Sequence, residues 1–260
     1  MNKLSVDTES FSPFYDYYRR KLMVQDHIDI SKRLEAIASF IHEDSFFLDI
    51  GSDHAYLPCY VCLQHPNVRA IASEVNKGPW IRAKQTVTYY DLSERIDVRL
   101  GNGLEILHKH DNIDTLTIAG MGGSLIKSIL TEGTEKLTTV KKMITQPNNH
   151  AYAVREFLIR NDFQIVEELI MEENGHIYEI IVSEKSTSFG QDTSHETVQK
   201  QMLFGPILLK EKSAVFLKKW QGEYKKTQFV LQQIKQAKSL DHDKIAQLNK
   251  RLQWIEEVLS

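Results

Sequence analysis

The chain has 260 residues, of which 42% are hydrophobic and 26% are charged, and its formal net charge is −3. These proportions are typical of a globular protein with a buried core, and they argue against a disordered or fibrous chain. No apolar stretch is long enough to cross a bilayer, and the N-terminus lacks the pattern of a signal peptide. We therefore expect a cytoplasmic protein that makes no contact with membranes.

The charge is unevenly distributed along the chain. Residues 200–260 carry a net charge of +6, whereas the preceding 199 residues carry −9. A basic segment on an acidic body can attract a polyanion such as a nucleic acid, although a lysine-rich helix face exposed to water has the same composition.

Residues 46–184 alternate between apolar strands and amphipathic helices. The predicted strands are residues 46–50, 68–73, 96–100, 115–119, 142–145, 163–171 and 177–183, and the predicted helices are residues 56–64, 79–91, 123–132 and 151–161. This alternation is typical of a parallel sheet covered on both faces. Because only the sequence EENG (172–175) joins the last two strands, we expect an antiparallel hairpin at the end of the sheet.

A helix is predicted at residues 30–41, and two helices with heptad spacing are predicted after the sheet. Their apolar positions suggest an antiparallel coiled-coil hairpin, although a dimer seam or a lid would show the same spacing. We divide the chain into an N-terminal extension (1–29), an α/β domain (30–185), a linker (186–199) and a coiled-coil domain (200–260). The aromatic and basic stretch FSPFYDYYRR (11–20) either packs on the α/β domain or binds RNA, and we favour packing.

The first strand ends in DIGSDHAYLP (49–58), which resembles a nucleotide-binding turn but keeps only one glycine, Gly51. Asp53 stands where the phosphates of NAD, FAD or ATP would lie, and it would repel them. The same carboxylate would attract a cationic ligand such as S-adenosylmethionine, which carries a sulfonium and an ammonium group. The alternative interpretation is that Asp53 is an ordinary helix cap.

Three further strands end in turns that suit the same ligand. Glu74 lies 23 residues after Gly51, at the distance where an acid can accept hydrogen bonds from both ribose hydroxyls. GNG (101–103) follows the third strand, and we expect Asn102 and Gly103 to meet the adenine. AGMGG (119–123) follows the fourth strand, and its glycines allow close backbone approach. The candidate cofactor-binding residues are Gly51, Ser52, Asp53, His54, Glu74, Val75, Asn102, Gly103, Gly120, Met121 and Gly122.

Other residue types suggest little additional chemistry. Cys59 and Cys62 lie one helical turn apart among apolar residues, so we expect buried thiols and no redox or zinc site. No histidine lies in a metal-binding motif and no serine lies in a G-x-S-x-G elbow, so we expect neither a metal nor a hydrolase. Pro147 and Asn148, in the loop TQPNN (145–149), are candidates for binding a substrate base, although an ordinary loop has the same composition.

Taken in order, these motifs resemble the bacterial tRNA (adenine(22)-N1)-methyltransferases. The resemblance runs from about residue 31 to 184 and continues through 205–220. It is carried by SKRL, DIGSDHAYLP, EVNKGP, IDVRLGNGLEIL, TLTIAGMGGSLIKSIL, QPNN, GHIYEIIV and GPILLKEKSAVFLKKW. The sequence departs from the family in its first thirty residues and in ASEV (72–75), where a small residue such as glycine is expected before the acid.

The resemblance implies a class I methyltransferase domain with a Rossmann-like sheet and a coiled-coil domain, acting on tRNA with S-adenosylmethionine as cofactor. N1 of adenine already carries a lone pair, so the enzyme would act mainly by orienting it. Asp53 is the candidate catalytic residue because a carboxylate can stabilise the positive charge that develops on the base. We expect the protein to be a monomer.

Two alternatives remain at this point. One is a methyltransferase that acts on another RNA or on a small molecule, and the basic C-terminal segment argues against the small molecule. The other is an RNA-binding scaffold with a degenerate cofactor site, and the presence of Glu74 and Asn102 argues against it.

Overall fold

The computed structural model describes residues 28–186, 194–236 and 240–260. The predicted N-terminal extension, including the stretch FSPFYDYYRR, therefore lies almost entirely outside the described residues. The seven strands are β1 (Phe46–Ile50), β2 (Arg69–Glu74), β3 (Ile96–Leu100), β4 (Thr115–Met121), β5 (Lys142–Pro147), β6 (Phe163–Glu173) and β7 (His176–Lys185).

The strands form one mixed sheet in the order β3-β2-β1-β4-β5-β7-β6. Strands β1 to β5 are parallel, and β7 lies antiparallel between β5 and β6. Asn174 and Gly175 close the β6–β7 hairpin, and both have the positive φ angles that a tight hairpin turn requires. The predicted parallel sheet ending in an antiparallel pair is therefore confirmed.

Nine α-helices surround this sheet in the described part of the chain. They are α1 (Lys32–Ala38), α2 (Tyr56–Gln64), α3 (Lys77–Tyr89), α4 (Gly123–Glu132), α5 (Ala151–Arg160), α6 (His195–Phe204), α7 (Leu208–Glu211), α8 (Ala214–Lys235) and α9 (His242–Leu259). Helix α6 begins inside the predicted linker (186–199). The linker is thus shorter than predicted, because Ser194 caps α6 by accepting a hydrogen bond from the Thr197 amide.

Each face of the sheet has its own apolar core. Helices α1, α2 and α3 cover one face, where Ile37, Val61 and Val87 meet Phe47 and Val182. Helices α4 and α5 cover the opposite face in a second cluster. The layers leave the carboxyl ends of β1 to β5 along one edge, which is where ligands of open α/β sheets bind.

A third apolar cluster joins the C-terminal helices to β6 and β7. It contains Phe204, Phe216, Trp220 and Ile255, which pack with Ile170 of β6. Beyond this base, α8 and α9 pair as the predicted hairpin. The knobs-into-holes packing of a true coiled coil stays a prediction.

Two hydrogen bonds fix the pairing of α8 with α9 within one chain. The Tyr224 hydroxyl donates to the Glu256 carboxylate, and the Arg251 guanidinium donates to Glu223 at 3.0 Å. Among the described residues, no helix has the length and hydropathy to span a membrane.

A buried ion-pair cluster holds the C-terminal helices on the sheet. Arg155 of α5 is fully buried and pairs with Glu168 of β6 at 2.7 Å and with Glu179 of β7 at 3.0 Å. Glu168 also accepts a hydrogen bond from the Ile207 amide at 2.9 Å, and Lys219 of α8 donates to Glu179. The α/β domain and the C-terminal helices therefore share one charged core.

Candidate active site

The turn after β1 has an unusual backbone. Gly51, Asp53, His54 and Ala55 all have positive φ, and three of these four are not glycine. Each non-glycine residue in this region costs roughly 1–2 kcal/mol, and such strain is concentrated at functional sites. Helix α2 begins after Ala55 without any side-chain cap, so Asp53 is not a helix cap, and the interpretation that leaves its carboxylate for a ligand is favoured.

The turn is held by hydrogen bonds to β2. The amides of Gly51 and Ser52 both donate to the Ser73 carbonyl at 3.0 Å. The Asp53 amide donates to the Glu74 carboxylate. These bonds draw the first and second predicted turns together, while the Asp53 side chain stays 82% exposed.

Three carboxylates lie close together here: Asp53, Glu74 and Asp49. Asp49 is not among the site residues predicted from the sequence. Asp49 is buried, and the Thr117 hydroxyl donates to it at 2.6 Å. Burial raises the pKa of Asp49 to about 6, against the hydrogen bond from Thr117 and with a smaller contribution from Glu74. Burial also raises the pKa of the Glu74 carboxyl above its ordinary value. Because a positive charge would stabilise the ionised forms of these carboxyls, the site suits a cationic ligand.

The fourth turn packs against the first. A Cβ on Gly51 would lie 2.2 Å from Cε of Met121, so the methionine covers the glycine that begins the first turn. Gly120 has a φ of +75°. A Cβ on Gly123 would lie 2.3 Å from the His150 carbonyl, which leaves no room for a side chain. Backbone therefore approaches backbone closely here, as the glycines predict.

Amide side chains at the end of β5 and in the loop after it are hydrogen-bonded to the fourth turn. The Gly120 amide donates to Oε1 of the buried Gln146 at 3.1 Å, and the Gln146 side-chain amide donates to Oδ1 of Asn148 at 3.0 Å. The Asn148 side-chain amide donates back to the Gly120 carbonyl at 2.7 Å. Pro147 is buried and Asn148 is exposed, and a contact of either residue with a substrate base stays a prediction.

The remaining candidates lie at the same edge. Val75 is 62% exposed directly after β2, Asn102 is exposed after β3, and Gly103 has a φ of +51°. His54 lies 3.5 Å from Arg82 of α3 and 3.6 Å from the Asp53 carboxylate. All four predicted turns thus come together, and the positions of these residues toward a ligand stay predictions.

The structure also bears on the residues outside the site. Cys59 and Cys62 are buried, as predicted, and burial raises the pKa of each thiol to about 12. Among the described residues, no cluster of His, Cys, Asp and Glu has the geometry of a metal site.

Two residues at or near this edge are not predicted by the sequence: Arg33 and Asp49. Asp49 lies inside strand β1, where a polar residue in an apolar run is the available signal. Arg33 has no such signal, because its partners come from β5 and β7.

Comparison with known proteins shows which family this chain is similar to. The family model described as tRNA (adenine(22)-N(1))-methyltransferase matches residues 47–257. The tRNA (adenine(22)-N(1))-methyltransferase of Bacillus subtilis (strain 168) is 42% identical over 238 residues, which cover 90% of this chain and 98% of the relative.

Solved structures agree with this match. The Streptococcus pneumoniae protein Sp1610 in complex with S-adenosyl-L-methionine is 42% identical and superposes with a TM-score of 0.77, covering 89% of this chain and 100% of that one. M. capricolum TrmK in complex with S-adenosyl-homocysteine is 25% identical with a TM-score of 0.73, covering 88% of this chain and 97% of that one.

Proposed function

Because this chain belongs to the tRNA (adenine(22)-N(1))-methyltransferase family, we propose that its residues carry out that reaction as follows. The protein is an S-adenosylmethionine-dependent enzyme that methylates N1 of adenine 22 in tRNA. The observation in this chain that supports the assignment best is the group of three carboxylates, Asp49, Asp53 and Glu74, at the turn that begins with Gly51.

The residues present fit the cofactor. Bound S-adenosylmethionine supplies an electrophilic methyl group on a positively charged sulfur. Glu74 and Asp53 are the residues that would hold its ribose and its cationic groups, with Asn102 and Gly103 beside its adenine. Gly51, Gly120 and Gly122 allow the backbone to come close, and the Met121 side chain forms the apolar cover between the first and fourth turns.

The protein's own contribution to the chemistry is to orient the substrate. N1 of adenine needs no deprotonation, so no general base is required, and alignment with the methyl group can supply most of the acceleration. As the bond to N1 forms, the methyl–sulfur bond breaks, S-adenosylhomocysteine is the leaving group, and the positive charge passes to the adenine ring and its exocyclic amine. The Gly120 carbonyl, the Asn148 side chain and the exposed Asp53 carboxylate lie at the edge where acceptors for that amine are needed. The target nucleotide must leave its stack to reach this edge.

The rest of the chain has a proposed part as well. We assign residues 30–185 to the methyltransferase domain and the helices within 200–260 to tRNA binding. Since two hydrogen bonds and the third apolar cluster pair α8 with α9 within one chain, we propose a monomer, which sedimentation velocity would test. We place the enzyme in the cytoplasm, where its substrate is found.

The direct test is mass spectrometry of nucleosides from tRNA incubated with the protein and S-adenosylmethionine. We expect 1-methyladenosine, and we expect none from free adenosine or from a reaction with a Glu74→Ala variant. Methylated guanosine or cytidine in place of 1-methyladenosine would reject the assignment.

A further inference from the structure

Arg33 lies at the proposed reaction edge without an assigned role. It is the second residue of α1, and its guanidinium donates to Oε1 of Gln146. The same oxygen accepts from the Gly120 amide at 3.1 Å. A Cβ on Gly120 would lie 3.9 Å from Nη1 of Arg33, so the guanidinium reaches the turn where the substrate base is expected.

The geometry of Arg33 is fixed from two further sides. Its guanidinium lies over the ring of Tyr178, 5.1 Å from the centroid. Helix α1 itself is tied to the end of β6, because the Lys32 amide donates to Glu173 at 2.8 Å. A guanidinium that is already held over an aromatic ring and by a hydrogen bond loses less conformational entropy when it binds a second group.

The charge of Arg33 is not neutralised by any carboxylate among the described residues. Within that part of the chain its hydrogen bond goes to Gln146, an uncharged side chain, and a guanidinium has five N–H donors. A nearby anion would therefore find several donors in a planar fork. On a tRNA substrate the anions are the backbone phosphates, and a guanidinium matches a phosphate in two parallel hydrogen bonds.

We propose that Arg33 binds a backbone phosphate of the flipped target nucleotide, with the Tyr178 ring and Gln146 holding its guanidinium in place. This inference rests on the proposed function and adds a substrate-binding residue to it.

The experiment uses the full chain and measures tRNA binding across a series of salt concentrations in the presence of S-adenosylhomocysteine. The Arg33→Gln variant should bind about tenfold more weakly at low salt. Its plot of log affinity against log salt should be shallower by about 0.7 to 0.9, the value of one phosphate contact. Arg33→Lys should keep the slope and recover part of the affinity, since it retains the charge and loses the fork.

Arg69 provides a matched control. It lies at the start of β2, at the opposite edge of the sheet, and its guanidinium also lies over an aromatic ring, that of Phe46, 4.6 Å from the centroid. Arg69→Gln removes the same charge and the same kind of cation–π contact, and it should leave the affinity and the salt slope unchanged. Affinity for S-adenosylhomocysteine should be the same in all variants.

The outcomes separate the possible failures. A wild-type protein that forms no 1-methyladenosine in tRNA would reject the proposed function and this inference with it. An active wild type whose salt slope is unaltered in Arg33→Gln would reject the inference alone, and Arg33 would then be a support for Gln146. If Arg33→Gln does not fold, Arg33→Met preserves the apolar stem over Tyr178 and is expected to show the same decrease in slope.

Discussion

Asp49 is a single buried residue with a measurable pH signature. Because its pKa is raised to about 6 by burial, it is largely protonated at pH 5 and ionised at pH 7. A cationic ligand interacts more favourably with the ionised form. We expect the affinity for S-adenosylmethionine to rise between pH 5 and pH 7 and then to level off. Calorimetry at several pH values would show this, and S-adenosylhomocysteine, which lacks the sulfonium charge, should show a smaller rise.

The same residue makes an opposite prediction for stability. A folded-state pKa above the ordinary 3.8 means that the stabilising contribution of Asp49 is present at low pH and is lost as pH rises through about 6. At pH 8 the free energy of unfolding of the Asp49→Asn variant should therefore exceed that of the wild type by at most about 3 kcal/mol. The variant should accordingly unfold at a higher denaturant concentration. It should also bind S-adenosylmethionine more weakly. A variant that is both less stable and unaltered in binding would contradict both arguments.

Glu74 and Asp53 divide their roles differently. Glu74 is buried and already accepts the Asp53 amide, so Glu74→Ala should weaken cofactor binding and also loosen the first turn. The Asp53 side chain is exposed, so Asp53→Asn should leave stability nearly unchanged. We expect Asp53→Asn to lower methyl transfer, and comparing its single-turnover rate with its cofactor affinity separates catalysis from binding. A normal rate at saturating cofactor would assign Asp53 to binding alone.

At the scale of elements, two glycines at or within helices make a matched pair. A Cβ on Gly123, at the start of α4, would meet the backbone carbonyls of His150 and Asn149 at 2.3 and 2.7 Å. Gly222, within α8, has no atom within 4 Å of a Cβ position. We expect Gly123→Ala to destabilise the protein by about 1–3 kcal/mol and Gly222→Ala to stabilise it by about 0.5–1 kcal/mol. Urea denaturation of the two variants would decide, and equal effects would contradict the geometry.

The elements show what a sequence can and cannot predict. Strands such as β1 and β3 are predicted to the residue, because apolar runs between polar turns are a local pattern. The four turns that we propose bind the cofactor are predictable for the same reason, since each follows its own strand. The first turn of helix α6 reads as linker because its sequence, HETV, is largely polar, and the cap at Ser194 is a weak signal beside that composition.

Interactions between distant elements leave no local signal. Arg155 lies on an amphipathic helix, where an arginine ordinarily faces water, yet its two carboxylate partners lie 13 and 24 residues further along the chain. Arg33 meets Gln146 across 113 residues. Such pairs depend on the order of strands β5, β7 and β6, which the hydrophobic pattern does not specify.

At the scale of the whole molecule, the buried cluster determines how the two parts can be separated. Removing Arg155 would leave Glu168 and Glu179 without their main partner, and breaking a buried pair costs about 3–5 kcal/mol. We expect Arg155→Met to lose that much stability in urea denaturation at neutral pH. Arg160→Met is the control, because Arg160 lies on the same helix with its side chain 72% exposed, and it should change stability by less than about 1 kcal/mol.

The role of the C-terminal hairpin is therefore best tested in the full chain. Truncation near residue 184 would remove the helices that pack over the buried ion-pair cluster. Replacing Lys225, Lys235 and Lys244 of α8 and α9 by glutamine preserves the helices and removes three charges. We expect weaker tRNA binding, unchanged affinity for S-adenosylmethionine, and a salt slope shallower by up to about 0.9 for each phosphate that is no longer neutralised. Unchanged tRNA affinity at matched salt would leave the hairpin without a part in recognition.

The seating of the hairpin on Arg155, Glu168, Glu179 and Lys219 has a geometric consequence. Because Lys219 ties α8 to this buried cluster, we expect the described helices α8 and α9 to keep one position relative to the Gly120 turn. If the helix pair binds tRNA, the nucleotide that reaches the methyl group is the one that lies at the matching distance from this contact. Sequence around the target then matters less than its location on the folded tRNA, and a hairpin lengthened by whole helical turns would shift or abolish methylation without altering a single residue of the active site.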